Sequence, residues 1–478
     1  MKRYNPIFAL VGAGVAACAG SAAAQTAATP ADLGVAVSSQ IACGSIFVSG
    51  RTEADVLRND VQVMAPFTRA VTLSVDRKRR TVTASAPGAT PRTALYRPAV
   101  GCTLLTGETP VAVLEKQVTK LRPVRTRADD DIRLTPGAAV RTEAIDRGAL
   151  DAAVTRAFEE QNMDGYPDTR AILVVQHGEI LAERYAQGFD RDTRLLGWSA
   201  TKSVTAALIG LLVDDGVLQL DSPAPVPEWQ GAGDPRGAIT LRQLLTMTSG
   251  LTFKEDYAPG SDSLKMLFEA KDMGSYAASR PLQHAPGTTW NYASGTTNIL
   301  SGIVYRATGG TLAGVTRFAR KRLFEPAGMH SALIEADEAG VPVGSSYGYA
   351  TARDWARFGQ LFLDQGVASG KQVLSREWVD FVRTPTPAAP RPLYGGQFLL
   401  NRGDESGERK RVYSALPSDT FIASGHNGQM VLIIPSLDAV VVRLGWTPEG
   451  AKFDWNKHIA AILATLEPER DAKRDPAD

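Results

Sequence analysis

A serine and a lysine three residues apart stand at the start of an apolar helix in this chain. The segment Ser199-Ala-Thr-Lys202 follows Trp198 and runs into the apolar stretch from Ser203 to Val213. Its apolar residues repeat at helical spacing, at Val204, Ala207, Leu208, Leu211 and Leu212. Because residues three apart share one face of a helix, this spacing predicts that the Lys202 amine lies beside the Ser199 hydroxyl.

This pair has the chemistry of an activated nucleophile. A serine hydroxyl attacks a carbonyl only if a neighbouring group takes its proton, and Lys202 can do so only as a neutral amine. Burial at the mouth of an apolar helix disfavours the ammonium form, which is how a lysine becomes a base. We expect Ser199 at the helix N-terminus, where its backbone N–H can face a developing oxyanion. The spacing alone occurs by chance about once or twice in a chain of this length, so further motifs must support it.

Three further motifs follow in order along the chain. They are Leu244-Leu-Thr-Met-Thr-Ser-Gly-Leu251, Pro286-Gly-Thr-Thr-Trp-Asn-Tyr292-Ala-Ser294 and Ser424-Gly-His426-Asn-Gly428-Gln429. With Ser199 and Lys202, they make the chain resemble the serine β-lactamase and penicillin-binding-protein superfamily. The resemblance is to the class C-like branch, which includes esterases, D-amino-acid peptidases and 6-aminohexanoate-dimer hydrolases, and it covers residues 145–466.

The resemblance implies roles for the first two motifs. Ser199 would be the nucleophile that forms an acyl-enzyme, and Lys202 its hydrogen-bonded partner. Tyr292 matches the tyrosine of the second motif; beside Lys202 its anionic form is expected to be favoured, so that it could accept the Ser199 proton. A buried aromatic ring with a satisfied hydroxyl is the structural alternative for Tyr292. Ser294 stands where class C β-lactamases usually have asparagine, and its hydroxyl can still bond Lys202 or the substrate.

The third motif departs from the Lys-Thr-Gly of most penicillin-recognising enzymes. Here it reads His426-Asn-Gly428, which we expect on an inner strand, with Gly428 allowing the substrate to approach the backbone. The N–H of Gln429 would be the second oxyanion donor, opposite that of Ser199. His426 would orient Tyr292 or the substrate, or would be a neutral structural histidine. Without a lysine in this motif, the site lacks the usual cation for a β-lactam carboxylate.

Other functional classes are disfavoured by the sequence. The five histidines are scattered, without the spacing of a zinc site, so no metal is expected. A formal charge of +1 with 22% charged residues gives no electrostatic argument for nucleic acid as a partner. The basic run from Arg77 to Arg80 joins two alternating segments, Ala70–Val75 and Thr81–Ala86, and is interpreted as a solvated hairpin turn. No cofactor is required by the predicted chemistry.

The N-terminus has the pattern of an export signal. Lys2 and Arg3 precede the apolar stretch from Ile7 to Ala17, and small residues precede Gln25, so residues 1–24 are interpreted as a signal peptide. The protein is therefore expected in the periplasm or outside the cell. A lipoprotein signal, with a lipid anchor on Cys18 and retention at the membrane, is the alternative.

The remaining cysteines bear on the region that follows the signal. Cys43 and Cys102 form an even pair in an exported chain, which favours a disulfide worth about 3–4 kcal/mol, although two buried thiols are possible. Residues 25–121 are expected to form a β-rich region, with Ile41–Val48 as one of its strands. Residues 122–144 have the composition of a linker, and residues 467–478 that of a charged tail.

The sequence thus predicts an α/β (α+β) serine hydrolase. Residues 145–466 would form an antiparallel sheet flanked by helices, with an all-helical subdomain that carries Tyr292. The expected reaction is cleavage of an amide or ester bond in a small molecule or short peptide, resembling 6-aminohexanoate-oligomer or D-peptide hydrolysis. A carboxylesterase or class C-like β-lactamase is the first alternative. A catalytically silent receptor for peptides or cell wall is the alternative from another class.

Overall fold

The computed structural model describes residues 29–124, 145–159, 169–403, 411–447 and 454–466 of the 478-residue chain. The predicted signal peptide with Cys18, most of the predicted linker and the predicted tail lie outside the described residues. Residues 29–124 form an N-terminal part. The residues from 145 onward form a larger part, called here the hydrolase part, which contains all of the motifs introduced above.

The N-terminal part combines a buried helix with an antiparallel sheet. Its helices are α1 (Pro30–Cys43), α2 (Glu53–Val56) and α3 (Val111–Lys116). Its strands are β1 (Thr72–Asp76), β2 (Thr81–Ser85), β3 (Arg92–Arg97) and β4 (Gly101–Leu104), and they pair in that order. Asp76 pairs with Thr81, so the basic run Arg77–Arg80 is the hairpin turn that the sequence predicts.

The strand predicted at Ile41–Val48 is wrong, because these residues continue α1 and a π-helical turn at Gly44–Val48. Nearly the whole helix is buried, including Ser38, Ser39 and Gln40, so its polar and apolar residues do not separate onto two faces with a helical period. The start of the helix has a clearer signal. Thr29 and Asp32 form a capping box around Pro30 at the first helical turn.

The same helix is long and apolar enough to cross a membrane by length and composition. The span Pro30–Val48 has a mean hydropathy of 1.4, but 83% of it is buried inside the protein. It packs on β2 and β3 as the core helix of the N-terminal part.

A disulfide between Cys43 and Cys102 joins the end of α1 to β4, as the cysteine count predicts. Its Cα atoms are 6.0 Å apart, an ordinary separation for a disulfide. Both residues have no exposed surface. The bond therefore fixes the helix on the sheet within the core of the N-terminal part.

The hydrolase part is built on a six-stranded antiparallel sheet with helices on both faces. The sheet order is β12 (Leu399–Leu400), β13 (Phe421–Gly425), β14 (Gln429–Ile434), β15 (Ala439–Gly445), β5 (Thr169–Gln176) and β6 (Glu179–Tyr185). Short strands elsewhere are β7 (Leu195–Leu196), β8 (Leu333–Ile334), β9 (Gly348–Ala350), β10 (Val367–Ala368) and β11 (Lys371–Gln372). The mixed fold of an antiparallel sheet flanked by helices is confirmed.

Side chains alternate between the two faces of the sheet along each strand, and each face packs into a separate hydrophobic core. On β14, Val431 and Ile433 face one core, while Leu432 and Ile434 face the other. The helices of the hydrolase part are α4 (Arg147–Arg156), α5 (Thr201–Asp214), α6 (Leu241–Leu245), α7 (Asp262–Phe268), α8 (Met273–Ala278), α9 (Ser294–Ala307), α10 (Leu312–Ala319), α11 (Ala352–Leu363), α12 (Arg376–Val382) and α13 (Trp455–Leu463). Helices α4 and α13 cover one face of the sheet, and α5, α9 and α11 belong to the core on the other.

Helices α6 to α10 form the predicted helical subdomain, which lies between β7 and β8 in the chain. Tyr292 lies in the loop just before α9. The predicted hairpin at His177-Gly178 is also present: both residues have positive φ angles, 51° and 74°, as a tight hairpin turn between β5 and β6 requires.

Two buried carboxylates join the N-terminal part to the hydrolase part. Glu335, after β8, accepts hydrogen bonds from the Cys102 N–H at 2.7 Å and from Gln40 Nε2 at 2.7 Å. Asp60 of the N-terminal part pairs with Arg170 on β5 and with Arg51. The Arg170 guanidinium in turn lies 4.8 Å from the ring of Trp446, just after β15. A buried charge such as that of Asp60 is tolerated only when it is paired, and buried polar atoms such as those of Glu335 only when they are hydrogen-bonded.

The disulfide generates a prediction about stability. In Cys43→Ala/Cys102→Ala, the unfolded chain regains the freedom of a loop spanning 59 residues, so the free energy of unfolding should fall by about 3–4 kcal/mol. Urea denaturation of the oxidised wild type and of the double variant measures this difference. A reductant should lower the wild-type midpoint and leave that of the variant unchanged; equal midpoints for oxidised wild type and variant would contradict the prediction.

Candidate active site

Ser199 sits in a short 3₁₀ turn, Trp198–Ala200, that leads directly into α5. Trp198 has a φ angle of 46°, in the left-handed region that a bulky side chain rarely adopts. Packing holds it there: its buried ring contacts the rings of Tyr347, His426 and Trp446 at centroid distances of 6.2, 5.5 and 6.2 Å. This turn places Ser199 at the N-terminal end of α5, as the sequence predicts.

Lys202 lies one turn further along and is buried, with 1% of its surface exposed. Its Nζ atom is 2.9 Å from Ser199 Oγ, 2.9 Å from Ser294 Oγ and 3.0 Å from the carbonyl oxygen of Ser345. Burial lowers the pKa of Lys202 to about 8, and the negative charge of Glu255 opposes that decrease. An appreciable fraction of this amine is therefore neutral near physiological pH.

Tyr292 completes a cluster with these two residues. Its hydroxyl shares a hydrogen bond with Ser199, and its ring centroid lies 5.0 Å from Lys202 Nζ. The expected stabilisation of the tyrosine anion is wrong. Burial raises the pKa of Tyr292 well above its ordinary value, and the charge of Glu255 raises it further. Tyr292 is therefore a neutral phenol that carries its proton.

Ser294, the first residue of α9, connects Lys202 to a carboxylate that the sequence reasoning did not identify. Its hydroxyl donates to Glu255 Oε1 at 2.6 Å and its N–H donates to Oε2 at 2.8 Å. Glu255 belongs to the loop that precedes α7. Its position among Lys254 and Asp256 has no spacing that distinguishes it from a solvated charge.

The third motif is arranged differently from its expected form. Asn427 and Gly428 have φ angles of 57° and 78°, so residues 426–428 form a tight turn between β13 and β14 instead of an inner strand. An Asn-Gly pair is a strong hairpin signal, which the motif match concealed. A Cβ added to Gly428 would meet Arg443 Nη1 at 2.5 Å, away from Ser199. The predicted approach of substrate to Gly428 is therefore wrong.

The side chain of Gln429 is bonded to the neighbouring strand, and the predicted oxyanion role of its backbone N–H stays a prediction. Its side chain donates to the carbonyl oxygen of Gly445 at 2.7 Å and accepts from the Gly445 N–H at 3.0 Å, and only 1% of its surface is exposed. Gly425, the last residue of β13, takes the place expected of Gly428. A Cβ there would lie 2.1 Å from the carbonyl oxygen of Gly197 and 3.1 Å from the Ser199 nitrogen. The strand thus passes directly against the Ser199 turn, and the next residue, His426, lines the cleft.

The ring of His426 packs between two aromatic rings. Tyr257 lies 4.7 Å from it and Trp198 5.5 Å, centroid to centroid. Burial lowers the pKa of His426 to about 4, so the imidazole is neutral at physiological pH. This agrees with the structural alternative for His426 more than with a role in orienting Tyr292.

A cavity of about 330 Å³ opens onto Ser199. Its wall is mostly aromatic and aliphatic, and is lined by Ser199, Lys202, Glu255, Tyr257, Trp290, Tyr292, Leu393, Tyr394, Gln397, Leu399, Ile422, Ser424, Gly425 and His426. Among these lining residues, Lys202 is the one lysine or arginine and Glu255 the one carboxylate. The loop before α7 and the segment between α12 and β13 both contribute to it. Within the described ranges, no cluster of three histidine, cysteine or acidic side chains could hold a metal.

Two named hydrolases are similar to this chain in sequence. A 6-aminohexanoate-dimer hydrolase from Paenarthrobacter ureafaciens is 29% identical over 346 residues, which cover 68% of this chain and 84% of that protein. The esterase EstB from Burkholderia gladioli is 36% identical over 188 residues, covering 34% of this chain and 46% of the esterase.

Solved structures share the fold. A putative 6-aminohexanoate-dimer hydrolase from Bacillus anthracis gives a TM-score of 0.52 at 22% identity, covering 70% of this chain and 88% of that one. A penicillin-binding-protein homolog from Caulobacter crescentus gives a TM-score of 0.52 at 20% identity, covering 67% and 98%. At such identities these likenesses establish the β-lactamase and transpeptidase type of fold.

The family model described as Beta-lactamase matches residues 154–475, more than half of the chain. The two relatives, a 6-aminohexanoate-dimer hydrolase and an esterase, are hydrolases, which is the class that the motifs around Ser199 predict. The protein therefore belongs to the Beta-lactamase family and is a serine hydrolase.

Proposed function

We propose that the protein cleaves an amide or ester bond of a small molecule or short peptide through an acyl-enzyme on Ser199. The observation that carries this proposal is the contact of 2.9 Å between Lys202 Nζ and Ser199 Oγ, with the pKa of the buried amine lowered to about 8. A neutral amine at hydrogen-bonding distance is what a serine nucleophile requires.

The geometry supports the following sequence of steps. Neutral Lys202 takes the Ser199 proton as Oγ attacks the carbonyl carbon, and Tyr292 relays a proton to the leaving group. The oxyanion that forms is held by the N–H groups of Ser199 and His426, since Gly425 brings that end of β13 against the Ser199 turn. Water then attacks the acyl-enzyme, with the same groups moving the protons, and releases Ser199.

For the substrate, we propose a small amide of the 6-aminohexanoate-oligomer or D-peptide type. The relative with the broader coverage is a 6-aminohexanoate-dimer hydrolase, and the cavity is lined mainly by aromatic and aliphatic side chains. The esterase relative favours a carboxylesterase as the second candidate. A β-lactamase is less favoured, since Lys202 is the one lysine or arginine among the described lining residues and already belongs to the nucleophile.

We also propose that the protein is exported to the periplasm or medium. The basic and apolar pattern of residues 1–24 and the Cys43–Cys102 disulfide support export, since disulfides persist in oxidising compartments. The mass of the mature N-terminus tests this proposal: a chain that begins at Gln25 supports it, a lipidated Cys18 indicates a membrane anchor, and an intact Met1 opposes export.

The nucleophile is tested with Ser199→Ala. This variant should keep its fold and lose turnover of a p-nitrophenyl ester, 6-aminohexanoate dimer, a D-alanyl peptide and a cephalosporin, whichever of these the wild type cleaves. Intact-mass spectrometry should detect an acyl or fluorophosphonate adduct on the wild type and none on the variant. The control is Ser203→Ala, whose hydroxyl bonds the carbonyl oxygen of Gln397 and not Lys202, and which should still be labelled. A wild type that neither labels nor cleaves would favour the silent receptor.

The pH dependence follows from Lys202. The active form is the neutral amine, whose pKa is lowered to about 8, so kcat/KM should fall about tenfold for each pH unit below that value and level off above it. Initial rates on a p-nitrophenyl ester, corrected for spontaneous hydrolysis, measure this profile. A flat profile between about pH 6 and about pH 9 would contradict Lys202 as the base.

The contact of β13 with the Ser199 turn is tested with Gly425→Ala. The added Cβ would lie 2.1 Å from the Gly197 carbonyl oxygen, so the strand must shift and the proposed oxyanion donor with it. We expect kcat to fall by about 100-fold or more. Gly231→Ala is the control, because its Cβ would meet no atom within 4 Å. Wild-type kcat in Gly425→Ala would show that the strand need not approach so closely.

A further inference from the structure

We propose that Glu255 is a positioning residue that acts through Ser294 to orient Lys202 as a base toward Ser199. The inference rests on the proposed function and concerns the same site. Its starting point is a hydrogen-bonded chain through four side chains, from Glu255 to Ser294, Lys202 and Ser199.

Glu255 fixes Ser294 through two bonds at the start of α9. One carboxylate oxygen accepts from the Ser294 hydroxyl at 2.6 Å and the other from its N–H at 2.8 Å. The residue at the N-cap of this helix is Ala293, whose side chain cannot accept a hydrogen bond, so Glu255 supplies the acceptor from a separate loop. A carboxylate at a helix N-terminus is further stabilised by the helix dipole.

This arrangement decides which way each hydrogen bond runs. The Ser294 hydroxyl has one proton, and an ionised carboxylate can only accept, so that proton points to Glu255. The oxygen of Ser294 is then left to accept from Lys202, at 2.9 Å. The carbonyl oxygen of Ser345, at 3.0 Å from Nζ, can also only accept.

The consequence concerns the neutral amine. A neutral lysine has two N–H donors and one lone pair, and both donors are now directed to Ser294 and Ser345. The lone pair is left for Ser199, whose hydroxyl proton it faces at an Nζ to Oγ distance of 2.9 Å. Without the carboxylate, the Ser294 hydroxyl could donate to this lone pair and occupy it.

Glu255 also acts on the charge of Lys202. Its negative charge opposes the effect of burial on the pKa of Lys202, and it is the one carboxylate among the described residues that line the cleft. The other titratable groups facing the amine are Tyr292, which packs on it, and three residues of the same cleft. These three are Tyr257, Tyr394 and His426. Burial raises the pKa of both Tyr292 and Tyr394 and lowers that of His426. Tyr292, Tyr394 and His426 therefore stay uncharged at neutral pH.

The test uses Glu255→Gln in the full-length mature protein. Losing the carboxylate should lower the pKa of Lys202, so the acid limb of kcat/KM should move to lower pH by roughly half to one unit. The plateau of kcat should fall about tenfold with little change in KM, because the amide introduced by the substitution no longer enforces the direction of the Ser294 bond. The substrate is a p-nitrophenyl ester that the wild type cleaves.

Two variants separate this role from simple support of the loop. Glu269→Gln removes the same charge from an exposed position at the C-terminal end of α7 and should leave the pH profile unchanged. Glu255→Asp keeps the charge and should keep the acid limb near its wild-type position. If Glu255 acts through Ser294, then Glu255→Gln added to Ser294→Ala should lower kcat no further than Ser294→Ala does.

The outcomes distinguish the two levels of the proposal. A wild type that is not labelled at Ser199 by a fluorophosphonate would refute the proposed function itself. A labelled wild type with an unshifted acid limb in Glu255→Gln would refute the role of Glu255 and leave the nucleophile intact. If Glu255→Gln does not fold, Ser294→Ala decides: an unchanged kcat in that variant would overturn the inference.

Discussion

The burial of one amine is the constraint on which the site depends. Lys202 has 1% of its surface exposed, and a buried amine is costly unless oxygen atoms surround it. Oxygen atoms of Ser199, Ser294 and Ser345 surround this amine. They belong to the turn before α5, the start of α9 and the segment before β9. Three distant segments are therefore held together at one nitrogen atom. The same burial brings the pKa of the amine into the range where it can exchange a proton with a serine.

The parts of the fold and site that local chemistry determines could be predicted from the sequence. Ser199 lies in the helical turn that leads directly into the helix of Lys202, so their contact follows from the helical spacing of three residues. The hairpins at Arg77–Arg80 and at His177-Gly178 follow from alternating segments around turn residues. The disulfide follows from an even pair of cysteines in a chain whose export is predicted. In each case the partners are near in sequence or few in number.

The remainder depends on tertiary contacts that spacing does not encode. Ile41–Val48 is helical because the fold buries it on every side, which removes the period that would have identified it. In the proposed mechanism, Gly425 and His426 take the roles that were expected of Gly428 and Gln429, since Gly425 packs against the Ser199 turn and His426 lines the cleft. Glu255 reaches Ser294 across 39 residues of chain, and nothing around it in the sequence indicates that contact.

The contacts of Asp60 and Glu335 concern how much of the chain packs together with the hydrolase part. The Beta-lactamase match starts at residue 154, yet Arg170 on β5 and Glu335 after β8 are both buried against residues that precede it. A gene fragment that begins at residue 154 would lack Asp60, which pairs with Arg170. It would also lack Gln40 and Cys102, which donate hydrogen bonds to Glu335. It would also uncover the apolar surface beside them. The limits of a homologous family therefore do not coincide here with the limits of a self-sufficient core. The N-terminal part supplies the partners of these two buried side chains, and a graft of the hydrolase part onto another protein would have to include it to keep them satisfied.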